Sequence, residues 1–157
     1  MKKQTGRFII ALGLISFLNI SFISKEPIAS KGIFSFTLNN KPYVIEGISA
    51  KLRTVTGGYK QLSLSNDLFT SFFFNNPSAK SFELTTANNR EAVVRYTNPG
   101  NLLTFYPEKG KINISSLDNI THLISGNFEL EMYQKDQPSK KIKITNGKFV
   151  NVPIVEN

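Results

Sequence analysis

From residue 31 onward, hydrophobic and polar positions alternate with a period of two along most of the chain. In the segment GIFSFTL, the apolar side chains of Phe34, Phe36 and Leu38 fall on one side, and residues 128–132 repeat the pattern. Such alternation indicates β-strands with one buried face, because successive side chains of a strand point to opposite faces. The same region shows no segment with the 3.6-residue period of an amphipathic helix.

Turn-forming residues interrupt the alternation about every eight to twelve positions, which is typical of an all-β domain. The clearest interruptions are NNKP at 39–42, GG at 57–58, NNPSAK at 75–80 and QKDQPSK at 134–140. We therefore predict about ten to twelve strands in an all-β fold, a single antiparallel β-sandwich. A partly closed β-barrel is the alternative, since alternation alone does not separate the two architectures.

An Asn-Gly pair, Asn146 and Gly147, stands between the alternating runs KIKIT and KFVNV. Asn-Gly is a strong hairpin signal, because both residue types tolerate the positive φ that a type I′ turn requires. The pattern predicts a closing hairpin with its turn at this pair. Its strands would place Ile142, Ile144 and Phe149 in the core.

The N-terminus has the layout of a secretory signal. The cationic start MKKQTGR is followed by the apolar run FIIALGLISFLNISF at 8–22, and no charge comes before Lys25. As a helix this run would span about 22 Å, which is short of the roughly 30 Å hydrocarbon core of a bilayer. We therefore favour cleavage over permanent membrane spanning and expect the mature protein to begin between Lys25 and Lys31.

Two segments follow from this division of the chain. Residues 1–30 are expected to form a signal peptide or N-terminal anchor with a signal helix, and residues 31–157 a single all-β domain. A chain of 157 residues, of which 40% are hydrophobic and 19% charged, has enough apolar material for one core. The predicted localisation is outside the cytoplasm: periplasmic, envelope-associated or secreted.

Composition excludes several kinds of chemistry. Cysteine is absent, so there are no disulfides, thiolate nucleophiles, thiolate zinc sites or lipid attachment through an N-terminal cysteine. The formal net charge is +8, of which +5 remains from Lys31 onward (15 basic and 10 acidic residues); the basic residues of that part are scattered, and only KKIK at 140–143 is clustered. We interpret that cluster as a solvated strand edge, and we expect no nucleic-acid partner.

Four segments together resemble an uncharacterised family of small exported all-β proteins from Bacteroidota, many of them predicted lipoproteins. The segments are GIFSFTLNNKPY at 32–43, KINISSLD at 111–118, ISGNFELEM at 124–132 and KIKITNGKF at 141–149. The shared features are an Asn-Gly-Lys-Pro-like turn after the first strand, a late Ser-Gly-x-Phe strand and a closing Ile-Thr-Asn-Gly-x-Phe stretch. The resemblance implies a domain of unknown function and supplies no catalytic residue. This chain lacks the lipobox cysteine of such lipoproteins.

Catalytic and metal-binding constellations are missing from the sequence. His122 is the single histidine, and we interpret it as a surface or strand-edge residue. Glu129 and Glu131 lie two residues apart on a predicted strand, which places both on its solvent face rather than across a cleft as glycoside hydrolysis requires. There is no Gly-x-Ser-x-Gly turn and no glycine-rich phosphate loop. We expect no enzyme activity, no catalytic residue, no metal site and no cofactor.

Phenylalanine is the unusual component, with 13 residues against no tryptophan. In FTSFFF, Phe69 and Phe73 point to one side of the predicted strand while Phe72 and Phe74 point to the other. Such a strand is buried on both faces, packed under a loop, or exposed for a partner or lipid. These four residues are the possible interaction surface in the sequence.

We therefore expect an exported, non-catalytic β-domain with a binding or structural role in the cell envelope. Its partner would be an envelope protein, a glycan or a lipid, with membrane contact only through an uncleaved N-terminus. The alternative is a carrier of an apolar ligand in a β-barrel or sandwich interior, suggested by the phenylalanine content. A carboxylate-based hydrolase is a third hypothesis.

Overall fold

A computed structural model describes residues 31–65, 70–86, 91–98 and 100–156. The predicted signal segment 1–30 and Phe69 lie outside these residues. Ten strands and no helix are present in the described part of the chain. The strands are β1 (Gly32–Leu38), β2 (Lys41–Ile48), β3 (Ala50–Thr54), β4 (Lys60–Ser65), β5 (Thr70–Asn75), β6 (Ser81–Thr85), β7 (Ala92–Thr97), β8 (Thr104–Asp118), β9 (Leu123–Gln134) and β10 (Gln137–Glu156).

The strands form two layers that face each other across the core. One layer has the order β2-β1-β10-β9-β8-β6 and the other has the order β3-β4-β5-β7. The layers are joined where the end of β10 pairs with β3 and the start of β8 pairs with β7, so the pairing path closes into a ring. The β3–β10 pair is parallel, and the other strand pairs are antiparallel. The predicted all-β antiparallel sandwich is confirmed, with both layers belonging to one continuous sheet.

Phenylalanine rings fill the space between the layers. The ring of Phe72 on β5 lies 4.9 Å from that of Phe128 on β9 and 5.7 Å from that of Phe34 on β1, measured between centroids. Phe34 and Phe128 stack at 5.3 Å within the opposite layer. Burial of one such side chain stabilises the fold by about 1.5–3 kcal/mol. The high phenylalanine content of the sequence is therefore explained in part by the core.

The turn between β1 and β2 is a two-residue loop, Asn39-Asn40, with φ values of 46° and 67°. Both values are positive, as a type I′ turn requires, and Leu38 pairs directly with Lys41 across it. Asn39 also ties the hairpin to β10, because its Oδ1 accepts from Lys143 N at 3.1 Å and its own N donates to Lys143 O at 3.1 Å. The turn predicted at NNKP is confirmed.

The hairpin predicted at Asn146-Gly147 is wrong, since β10 continues through both residues. Asn146 has a φ of 53° and forms a β-bulge. Three steps along β10, from Ile144 to Gly147, match two steps along β9, from Leu130 to Phe128. The same extra residue appears in the pairing of β10 with β1. Asparagine tolerates the left-handed conformation in a bulge as well as in a turn, so the local signal does not distinguish the two.

The bulge changes which side of β10 faces the core, because it adds one residue to the alternation. Ile144 is buried before the bulge and Phe149 is buried after it, although they are five positions apart. Ile142 is partly buried against the same core. The three residues expected in the core therefore pack there, but on one bulged strand rather than on two strands of a hairpin.

Candidate functional site

The phenylalanine segment of β5 is divided between the core and the surface. Phe72 and Phe74 are completely buried, with 0% of their surface exposed, so neither is available to a partner. Phe73 points to the other side of the sheet and is half-buried on its outer face. Alternation along the strand is the physical reason for this division. Of the possible interaction surface, Phe73 is the member that the structure places at the surface, and Phe69 lies outside the described residues.

Phe73 stands in the middle of a row that crosses all four strands of its layer. Strand pairing sets Lys51 opposite Ser63, Ser63 opposite Phe73, and Phe73 opposite Val93. With neighbouring strands about 4.8 Å apart, this row extends roughly 14 Å across the sheet. Val93 is 40% exposed, so Phe73 and Val93 together form an apolar centre on a polar surface.

A second row, held together by hydrogen bonds between side chains, runs beside the first. Arg53 donates to Gln61 Oε1 from Nη2 at 2.6 Å and from Nε at 3.2 Å. Gln61 Nε2 then donates to Asn75 Oδ1 at 3.0 Å. These contacts fix the orientation of a guanidinium group and two amides, which leaves an ordered set of polar groups on the surface.

We call this surface the basic face. It comprises the outward side chains of both rows together with Arg95, which pairs with Ser71 on the other side of Phe73. Its residues are Lys51, Arg53, Gln61, Ser63, Ser71, Phe73, Asn75, Val93 and Arg95.

The cations of the basic face have no carboxylate partner among the residues that the structure describes. Within the described residues, no ion pair involves Lys51, Arg53 or Arg95. Three lysines on the outer face of the opposite layer have such partners, namely Lys109 with Glu131 at 3.1 Å, Lys111 with Glu83 at 2.9 Å and Lys141 with Glu108 at 2.7 Å, whereas no ion pair of Lys143 or Lys148 is present among the described residues. Glu91 lies opposite Asn75 at the end of the second row, but it is paired with Lys80 at 3.1 Å. Among the described residues, the net charge around Phe73 is therefore positive.

Glu129 and Glu131 lie together on the outer face of β9, while the side chains between and beside them point inward. Glu131 is paired with Lys109, and Glu129 stands opposite Lys111 in the β8–β9 ladder. A groove of about 440 Å³ runs over this surface. The predicted solvent face is confirmed. Because both carboxylates lie on one strand face beside lysines, they do not form the opposed pair of a glycosidase.

His122 lies in the turn between β8 and β9 with a φ of 53°, and it is exposed as expected. Its carbonyl oxygen accepts from Ile154 N at 2.8 Å. In the same turn, hydrogen bonds from the Thr121 hydroxyl and from the backbone N–H groups of Thr121 and Ile120 lower the pKa of Asp118 from its ordinary value of 3.8. The turn is thus stabilised by an ionised carboxylate.

A pocket of about 360 Å³ opens beside this turn, at the end of the sandwich where β3 meets β10. Its apolar lining consists of Leu52, Leu62, Leu117 and Ile154, with Pro77, and its polar lining of Lys60, Asn76, Asn119, His122 and Glu156. The volume lies at the lower end of the range of small-molecule sites, about 300–1,000 Å³.

A metal-ligand cluster and a membrane-spanning helix are both absent from the described residues. No group of three or more histidine, aspartate or glutamate side chains is placed to hold a metal ion there. In that same part of the chain, no helix has the length and hydrophobicity needed to cross a membrane.

Comparison with known proteins identifies one family. Residues 36–153 match the model of a family described as a domain of unknown function (DUF6252). The match extends from within β1 to near the end of β10 and so includes both layers of the sandwich. No curated protein and no solved structure shows significant similarity to the chain.

Proposed function

The chain belongs to the DUF6252 family, and from its surface we propose that it is an exported, non-catalytic β-domain that binds a partner in the cell envelope. The observation that carries the proposal is the basic face, where half-buried Phe73 is accompanied by cations that have no carboxylate partner within the described part of the chain. Binding surfaces are enriched in aromatic residues and arginine, and uncompensated charge steers an oppositely charged partner.

Export is supported by the N-terminal sequence, in which a cationic start precedes an uncharged apolar run at 8–22. A role in the periplasm, at the envelope or in the medium follows from that layout. Membrane contact would require that the N-terminal segment remain uncleaved. A non-catalytic role is supported by the ion pair of Glu131 with Lys109, which leaves the Glu129–Glu131 pair without the geometry of a carboxylate hydrolase.

A carrier of an apolar ligand is the second candidate. The pocket beside His122 favours it, because Leu52, Leu62 and Leu117 give that pocket an apolar lining. The sandwich interior favours it less, since rings from both layers contact each other through Phe72. Extraction of the purified protein with organic solvent, followed by mass spectrometry, would recover a lipid if this candidate is right.

The proposed function is tested by recovering partners from the native envelope. The tagged wild-type protein is compared with the double variant Lys51→Gln, Arg95→Gln. A matched control, Lys143→Gln with Lys148→Gln, removes the same charge from exposed lysines of the opposite layer. We expect the wild type and the control to co-purify with a partner in the envelope fraction and the basic-face variant to lose it. Cytoplasmic retention of the protein, or equal recovery by all three, contradicts the proposal.

A further inference from the structure

We propose that the basic face binds an acidic polysaccharide, a ligand class that deepens the binding role proposed above and rests on it. The ligand chain would lie across β3, β4, β5 and β7, along the row from Lys51 through Phe73 to Val93. Charge, hydrogen bonding and the shape of the surface each support this class of ligand.

Charge complementarity is the first argument. Lys51 and Arg53 lie two residues apart on β3, whereas Arg95 lies on β7, three strand spacings of about 4.8 Å away across the layer. A ligand that satisfies all of them must carry several negative charges spread along its length, because one compact anion does not reach across the face. A polymer of acidic sugars has this distribution, with carboxylates repeated along a chain.

Hydrogen bonding is the second argument. Arg53 presents a planar guanidinium group, which matches the two oxygens of a carboxylate, and it is already oriented by Gln61. Beside it, the amide groups of Gln61 and Asn75 are also held in place by their mutual hydrogen bond. Amides donate and accept, as sugar hydroxyls do. Because the row is ordered before binding, little side-chain entropy is lost on contact.

The shape of the surface separates this ligand from a membrane. Phe73 is half-buried and Val93 is 40% exposed, so the apolar area that the face offers is small. Insertion into a bilayer buries an extensive apolar surface about 5–10 Å deep in the interface, which two partly covered side chains do not supply. One partly exposed aromatic ring instead offers its surface to the C–H groups of a sugar ring. Serines Ser63 and Ser71 flank the ring and keep the neighbouring surface low.

The experiment measures binding of the processed protein to polygalacturonate, with dextran as the uncharged polysaccharide, at low and high salt. We expect polygalacturonate to bind, dextran to bind much more weakly, and salt to reduce the affinity. Removing one exposed charge is expected to weaken binding about two- to fivefold. Lys51→Gln with Arg95→Gln should therefore weaken binding to polygalacturonate, whereas Lys143→Gln with Lys148→Gln should not. Phe73→Leu keeps an apolar side chain and removes the ring, and it should weaken binding by about two- to tenfold.

Three results would overturn the inference. Equal weakening by both double variants would mean that binding depends on net charge and not on this face. Stronger binding to phosphatidylglycerol vesicles or to single-stranded DNA than to polygalacturonate would assign the face to a membrane or a nucleic acid. Absence of binding to polygalacturonate, combined with loss of the native envelope partner in the Lys51, Arg95 variant, would reject the polysaccharide and leave the proposed function standing.

Discussion

The ring of Phe128 lies against the backbone of Gly147, directly across the β9–β10 ladder. A Cβ atom added to Gly147 would stand 2.5 Å from Cδ2 of that ring. In the neighbouring pair the roles of the two strands are exchanged: the ring of Phe149 on β10 lies against Gly126 on β9. The Gly-x-Phe segments of the two strands therefore pair antiparallel, and each phenylalanine covers the glycine of the other.

Replacing Gly147 by alanine is expected to destabilise the protein, because the new methyl group overlaps the Phe128 ring. We expect a loss of about 1–3 kcal/mol in the free energy of unfolding, as for other overpacked cores. Lys148→Ala, on the exposed side of the same strand, should change it by less than about 0.5 kcal/mol. Urea unfolding of both variants measures the difference.

A double variant checks the cause of this loss. Phe128→Leu is smaller at the point of overlap, so Gly147→Ala should cost less in a Phe128→Leu background than in the wild type. Strict additivity of the two substitutions would contradict this cause, because it would show that the added methyl group does not meet the ring.

Asn146 occupies the left-handed region in the β-bulge, with a φ of 53°. We expect Asn146→Val to lower the free energy of unfolding by about 1–2 kcal/mol, because a β-branched residue is strained there. Asn146→Gly should be tolerated, since glycine adopts this conformation readily. Thermal unfolding of the two variants compares them, and similar melting temperatures would contradict the bulge conformation.

Two adjacent phenylalanines of β5 should respond very differently to truncation. Phe74→Ala removes a completely buried ring and is expected to reduce the free energy of unfolding by about 3–5 kcal/mol. Phe73→Ala removes a half-buried ring from the outer face and should leave a folded protein with a much smaller loss. Circular dichroism during urea unfolding tests the pair, and comparable losses would mean that Phe73 is also part of the core.

Asp118 should contribute to the acid sensitivity of the fold. Hydrogen bonds from Thr121 and Ile120 lower its pKa below 3.8, so the folded state binds this proton less readily than the unfolded state. Its stabilising contribution is complete above the ordinary pKa and is lost as pH falls through the lowered value. Asp118→Asn should therefore flatten the decline in stability between about pH 5 and pH 2. An unchanged acid profile would contradict this role.

The N-terminal segment is tested directly by sequencing the protein recovered from the envelope or medium. We expect the mature chain to begin between Lys25 and Lys31, because the apolar run of the signal ends before Lys25. Recovery of Met1 in that fraction would replace cleavage by an N-terminal anchor.

Much of the fold was predictable because period-two alternation is a local property. It identified the buried side chains of β1 and β9, and it placed Glu129 and Glu131 on a solvent face. The bulge was not predictable, since Asn39-Asn40 and Asn146-Gly147 give similar local signals and only the first is a turn. The difference is long-range: β10 pairs with β1 on one side and β9 on the other, and these contacts hold it extended.

The basic face was predictable only in part. Alternation within FTSFFF separates Phe73 from Phe72 and Phe74, as the structure shows. Lys51, Phe73 and Arg95 come from three strands far apart in the sequence, and their proximity depends on the register of those strands. The register depends on how the strands pair, which no single segment specifies. A row of side chains across four strands therefore cannot be predicted from the sequence of any one segment.

The position of β10 has a consequence for the time course of folding. β10 pairs with β1, β9 and β3. Until β10 has been synthesised, β1 can therefore pair only with β2. Contacts this distant in sequence make folding slow, because a long loop must close before they form. A chain emerging from the ribosome would lack the central strand of its larger layer until β10 is made. Delayed assembly of this kind would suit the proposed export, because the polypeptide would still be unfolded while it crossed a translocation channel.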